Sequence, residues 1–195
     1  YLAFGAFANG QYHSFNPPGS VDGRGMLEEV LSRSGKPDYF RQKYARDLAT
    51  MCHEATHIVN GRASMEYGAG REALYIGDGV VAVLSEPGIR ITDVAARIPS
   101  QYRDACYYKL YCVTQPSSQP ILNAMPLYLM DEWSASINGA QCARELGVGD
   151  TGDLAMANRF CYFADALLAT VSQLDPNYSE MSALQDFVQF EKKRV

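Results

Sequence analysis

The residues best suited to chemistry stand together at His53-Glu54-Ala55-Thr56-His57, where two of the chain's three histidines lie four positions apart. On a helix that spacing projects both imidazoles from one face, so the pair can reach a single metal ion. Glu54 lies one residue round the helix from His53 and can approach a water on the metal without entering its coordination sphere. Zinc draws the pKa of its water toward about 7, and a neighbouring carboxylate takes the proton as the hydroxide attacks a carbonyl. The chemistry expected is hydrolysis of an amide bond with one Zn2+ per chain. The bland alternative is a helix that happens to carry two surface histidines and a glutamate.

The surrounding sequence favours the metal. From Asp38 onward Tyr44, Leu48, Met51, Cys52, Ala55, Ile58 and Val59 recur at three- and four-residue intervals, and Asn60-Gly61 supplies a C-terminal stop. The motif therefore sits within a long, partly buried helix, anchored in the core through Ala55, Ile58 and Val59.

In this H-E-x-x-H helix the chain resembles the zincin superfamily of metallopeptidases, whose members set such a helix beside a small sheet. The metzincin variant of the motif is not met, because Asn60 replaces its glycine and Ala63 its third ligand. The chain is more similar to the gluzincins, in which a glutamate on a later helix completes the metal site. Glu132 matches that description, in Leu129-Met130-Asp131-Glu132-Trp133-Ser134-Ala135-Ser136, where apolar neighbours imply a buried carboxylate that needs a cation. Asp131 competes with it, either as the ligand itself or as a group that accepts a hydrogen bond from a ligating histidine. The 75 positions between His57 and Glu132 exceed the compact gluzincin spacing. The resemblance also implies a donor for the oxyanion formed during attack. His13, Tyr67, Tyr75, Tyr107, Tyr108 and Tyr128 are candidates, and Tyr128, one helical turn before Glu132, comes first.

These residues need a scaffold of α+β type, read as a single domain over 1–195. The opening segment to Lys36, rich in Gly, Asn and Pro, reads as loops around a short helix at Met26 to Ser32. Ala73 to Leu84, broken at Gly77-Asp78-Gly79, reads as a hairpin with Asp78 a turn residue. Arg90 to Asp93 and Tyr107 to Thr114 read as further strands and Gln115 to Pro120 as a loop. Helices follow over Pro126 to Leu146, Asp153 to Leu174 and Ser179 to Lys193. The expected whole is zincin-like: an active-site helix beside a small, mostly antiparallel sheet, with a helical C-terminal part. An edge of that sheet could receive an extended peptide substrate.

Composition narrows the partners. A net charge of -5 without clustered Lys or Arg gives no footprint for nucleic acid. No apolar run is long enough for membrane insertion; Ile121 to Met130 is interrupted by Asn123 and Pro126. The chain begins at Tyr1, so a signal peptide or pro-segment is expected to have been removed unless the sequence is an excised piece. Secretion or periplasmic export is expected, with disulfides Cys106–Cys112 and Cys142–Cys161 and Cys52 left free. The function expected is a zinc metallopeptidase acting on peptides or proteins. An exopeptidase or cell-wall amidase is one alternative, and a non-catalytic zinc-stabilised binding or effector module is another.

Overall fold

Asp47 starts the helix that carries the histidines: its Oδ1 accepts the Thr50 N–H at 3.0 Å and its Oδ2 the Thr50 hydroxyl at 2.7 Å. In the computed structural model, which describes residues 11–103, 106–149 and 152–195, this helix is α3, Leu48–Tyr67. It is preceded by a strand β1, Tyr12–Ser14, and by helices α1, Met26–Ser34, and α2, Pro37–Lys43. The Asp47 cap makes α2 and α3 separate helices rather than one run from Asp38.

After α3 come β2, Arg71–Gly77, and β3, Val80–Ser85. Asp78 in their connection adopts φ 51 and Gly79 φ 71, the positive dihedrals a tight hairpin turn requires. The hairpin reads as it folds. β1 adds to β3, giving an antiparallel sheet of order β1-β3-β2 among the described residues. Leu74, Ile76, Ala82 and Leu84 enter one apolar cluster with the C-terminal helices, and Ala73, Tyr75, Val81 and Val83 enter the other with α1 and α3. The hairpin is buried on both faces.

Two expected strands are helical instead. Arg90 caps a short helix α4, Ile91–Ala95, its N–H bonded to Asp93 Oδ2 at 2.8 Å. Tyr108–Thr114 forms a π-helix that leads into α5, Gln115–Ser118, and α6, Pro120–Asn123, where a loop was expected. The reason is the burial period. Tyr107, Tyr108, Tyr111 and Cys112 pack on the core while Lys109, Leu110, Val113 and Thr114 are exposed, a pattern of threes and fours rather than twos.

The chain ends in α7, Tyr128–Leu146, α8, Asp153–Leu174, and α9, Met181–Lys192. The helices and the small antiparallel sheet make the fold mixed α+β. α7 packs against α3 on one side and α8 on the other. Trp133 fixes the second contact, its indole N–H donating to Ala157 O at 2.9 Å. None of the described helices is long and apolar enough to cross a membrane.

The cysteines depart from expectation, since all five thiols are free. Cys142 faces α3, where its Sγ lies 3.5 Å from Leu48 O, and Cys52 donates to Asn138 O at 3.3 Å. Cys142 is thus turned toward the α3–α7 contact.

Candidate metal centre

Helical spacing brings His53 and His57 to one face of α3, and the packing of α7 on that face brings Glu132 to meet them. The two Nε2 atoms lie 3.1 Å apart, and Glu132 Oε2 stands 3.8 Å from that of His53 and 3.7 Å from that of His57. Among the described residues these three side chains form a group able to hold a metal ion.

The other ring nitrogens decide what the site attracts. His57 Nδ1 lies 2.6 Å from Asp131 Oδ2, and His53 Nδ1 lies 2.9 Å from Asp153 Oδ1. An ionised carboxylate only accepts, so each Nδ1 carries its hydrogen and leaves Nε2 as the atom turned into the site. Two Nε2 atoms and a carboxylate oxygen then converge, an arrangement that favours a cation between them, whether a proton shared by the rings or a metal ion.

The size fits as well. Tetrahedral ligands about 2.0–2.1 Å from zinc stand about 3.3 Å from one another. Shifts of a few tenths of an ångström in these side chains would reach that spacing.

The surrounding carboxylates favour any positive charge here, proton or metal ion. Burial alone pushes the His57 imidazole down, but Asp131, with Glu132 and Glu54 behind it, outweighs burial and raises it to about 9. Burial raises the Asp131 carboxyl, yet His57 and an amide hydrogen bond from Asn60 hold it below its ordinary value. That amide lies 2.6 Å from Asp131 Oδ1 and 3.1 Å from Ser134 Oγ, while Asn60 Oδ1 accepts the Tyr75 N–H at 2.7 Å. One side chain therefore ties α3 to α7 and β2.

Glu132, only 6% exposed, is oriented by phenols. Tyr128 donates to its Oε1 at 2.6 Å, and Tyr111, from the π-helix, also hydrogen-bonds it. Burial first, and then the Glu132 charge, push both phenols above their ordinary range, so they remain donors. Glu54 is partly buried, and its charge is felt by His57 and Tyr111.

Of the residues expected from sequence, His53, Glu54, His57, Glu132, Asp131 and Tyr128 come together. Asp131 occupies the place of a histidine's hydrogen-bond partner rather than that of a ligand. Tyr128 is engaged with Glu132 Oε1. His13 and Tyr67 pack on each other, ring centroids 4.9 Å apart, at the far end of α3. Tyr75 is spent in the core, its hydroxyl bonded to Glu29 at 2.7 Å. Tyr108 packs under Arg103, and Tyr107 approaches Gly152.

Asp153, Tyr111 and Asn60 were not anticipated as parts of the site. Asp153 opens a helix after a glycine and Tyr111 lies in a segment read as a strand, so neither had a spacing signal. The β2 edge also differs from expectation: Ser64 Oγ accepts the Ala73 N–H at 2.8 Å and Asn60 the Tyr75 N–H. That edge is closed to an incoming strand.

No family model matches the chain, and neither a curated protein nor a solved structure matches it.

Proposed function

We propose that the chain is a zinc-dependent metallopeptidase, with His53, His57 and Glu132 as metal ligands and Glu54 as general base. The observation that carries this reading is the convergence of two imidazole Nε2 atoms and a buried carboxylate oxygen, all within 4.8 Å of one another. Four carboxylates, Glu54, Asp131, Glu132 and Asp153, surround two histidines, an excess of negative charge suited to a dication.

Zinc held there would supply a Lewis acid that acidifies a water and polarises a carbonyl. The chain's own groups do the rest. Glu54, adjacent to His53 and outside the ligand set, accepts the proton of the attacking water and delivers it to the departing amine. Asp131 and Asp153 keep Nδ1 of each histidine protonated, so that Nε2 stays a lone-pair donor. Tyr128 and Tyr111 hold Glu132 so that Oε2 faces the histidines. A peptide substrate must enter without pairing to the β2 edge, which α3 covers.

The test begins with metal content by elemental analysis of the unmodified protein, Glu132→Ala and Asp131→Ala. One zinc per chain, lost with Glu132→Ala and only weakened with Asp131→Ala, is the expected result. Glu54→Gln should then keep zinc and lose about 10²- to 10⁴-fold in hydrolysis of a peptide library. Full activity in zinc-loaded Glu54→Gln would overturn the mechanism, and absence of zinc after loading would remove the metal centre.

A further inference from the structure

Asp153 is an expensive residue for a fold to keep. It is 8% exposed, its Oδ1 is bonded to His53, and its Oδ2 is buried with no hydrogen-bond partner among the described residues. A carboxylate buried with one oxygen unpaired loses more hydration than it regains. Its position as the first residue of α8, where helix N–H groups favour negative charge, offsets part of that loss. The remaining compensation is the histidine it touches.

Room for this carboxylate comes from a missing side chain. A Cβ added at Gly139 would lie 2.7 Å from Asp153 Cγ, closer still to its Oδ2, and 3.2 Å from Ala49 O. Real Cβ atoms do not approach others that closely, so any residue larger than glycine must displace the aspartate. Gly139 lies within α7, seven residues or two turns after Glu132 and on the same face. Ala49 precedes His53 by four on α3. The N-terminus of α8 is thus wedged, through Asp153, into the crossing of the two helices that carry the ligands.

We propose that Asp153 and Gly139 act as one positioning device for His53: Asp153 fixes the tautomer and ring orientation, and Gly139 is the gap in α7 that admits it. This rests on the metal centre proposed above for its consequence, but not for its geometry. A carboxylate on Nδ1 holds the proton there and aims Nε2 into the site. With the carboxylate displaced, the ring is free to flip or to take the other tautomer.

The test is a double-substitution cycle on the full chain, Gly139→Ala, Asp153→Ala and both together, with zinc affinity read by competition against a chromogenic chelator. Each single substitution should weaken zinc about 10- to 100-fold, and the pair should be no weaker than Asp153→Ala alone, because Gly139→Ala has nothing left to displace. The second readout is proton NMR of the zinc-free protein. The low-field Nδ1–H signal of His53 should vanish in Gly139→Ala and Asp153→Ala, while circular dichroism stays unchanged.

Losses that add in the double variant, or zinc affinity and an Nδ1–H signal undisturbed in Gly139→Ala, would overturn the proposal. An unmodified protein that takes up no zinc would refute the metal centre instead, and the NMR arm would still decide the positioning claim.

Discussion

Asn60→Leu is the substitution whose effect the structure specifies most closely. Leucine matches asparagine in shape but offers neither donor nor acceptor, so the Tyr75 N–H and Asp131 Oδ1 each lose a partner. The buried N–H left unpaired costs about 1–3 kcal/mol, and the charged hydrogen bond lost costs about 1.5–3 kcal/mol. Burying the leucine's extra apolar surface returns about 1–2 kcal/mol. Taking the middle of each range, the net loss is then about 3 kcal/mol. For a chain of this length that lowers Tm by about 5–15 °C. Urea unfolding followed by fluorescence of Trp133, the sole tryptophan, measures it directly. Ser64→Ala, which removes the acceptor for the Ala73 N–H and the hydroxyl donated to Asn60 O but leaves the Asn60 amide in place, is the reference and should lose about 1 kcal/mol. The same Asn60→Leu protein should bind zinc about ten- to a hundredfold more weakly, because Asp131 is no longer held against His57. A stability loss below about 1 kcal/mol would show that Asn60 does not join the three elements as described.

Two further outcomes follow from buried charge. Burial raises Glu72 to about 8, with Asp131 and Glu86 adding to it, and raises Glu86 to about 7 against one backbone hydrogen bond from Leu127. A carboxyl raised in the folded state favours folding fully below its unfolded value and loses that advantage as pH rises through the folded one. Stability should therefore fall between about pH 4.5 and 8 by on the order of 3 kcal/mol per group, and urea midpoints of Glu72→Gln and Glu86→Gln should fall less. Identical pH profiles for variants and unmodified protein would contradict this. Arg33, fully buried, donates to Phe15 O at 3.1 Å, Val21 O at 3.0 Å and Asn16 Oδ1 at 2.7 Å and pairs with Asp22. Arg33→Met should cost about 3 kcal/mol or more and open residues 15 to 22 to limited proteolysis, and an unchanged cleavage pattern would count against the clamp.

The sequence is legible where one element carries the information. The histidines reveal themselves because a four-residue spacing on a helix is a contact in itself, and the hairpin because Gly77-Asp78-Gly79 demands positive φ. Glu132 was legible through its apolar flanks. Asn60-Gly61 misled because that dipeptide commonly ends helices, whereas here Asp131, Ser134 and Tyr75 occupy the Asn60 amide and α3 continues to Tyr67. Tyr108–Thr114 misled because aromatic and branched residues suit strands, and only the pattern of buried positions separates a strand from a π-helix. Asp153 was invisible, since its role exists only once α8 docks 100 positions from His53.

The wide separation of His57 and Glu132 along the chain has a consequence for how the molecule comes apart. An ion bound at their meeting point would bridge residues 75 positions apart and so close a long loop in any partly unfolded chain. Closing a loop of that length removes about 4 kcal/mol of disordered-state entropy on the chain-statistics estimate used for covalent cross-links. The hairpin and the tyrosine-bearing π-helix both lie inside the loop. Loss of the ion would then act as the cutting of a strap around the middle third of the protein, and chelation would loosen residues well beyond the ligands themselves.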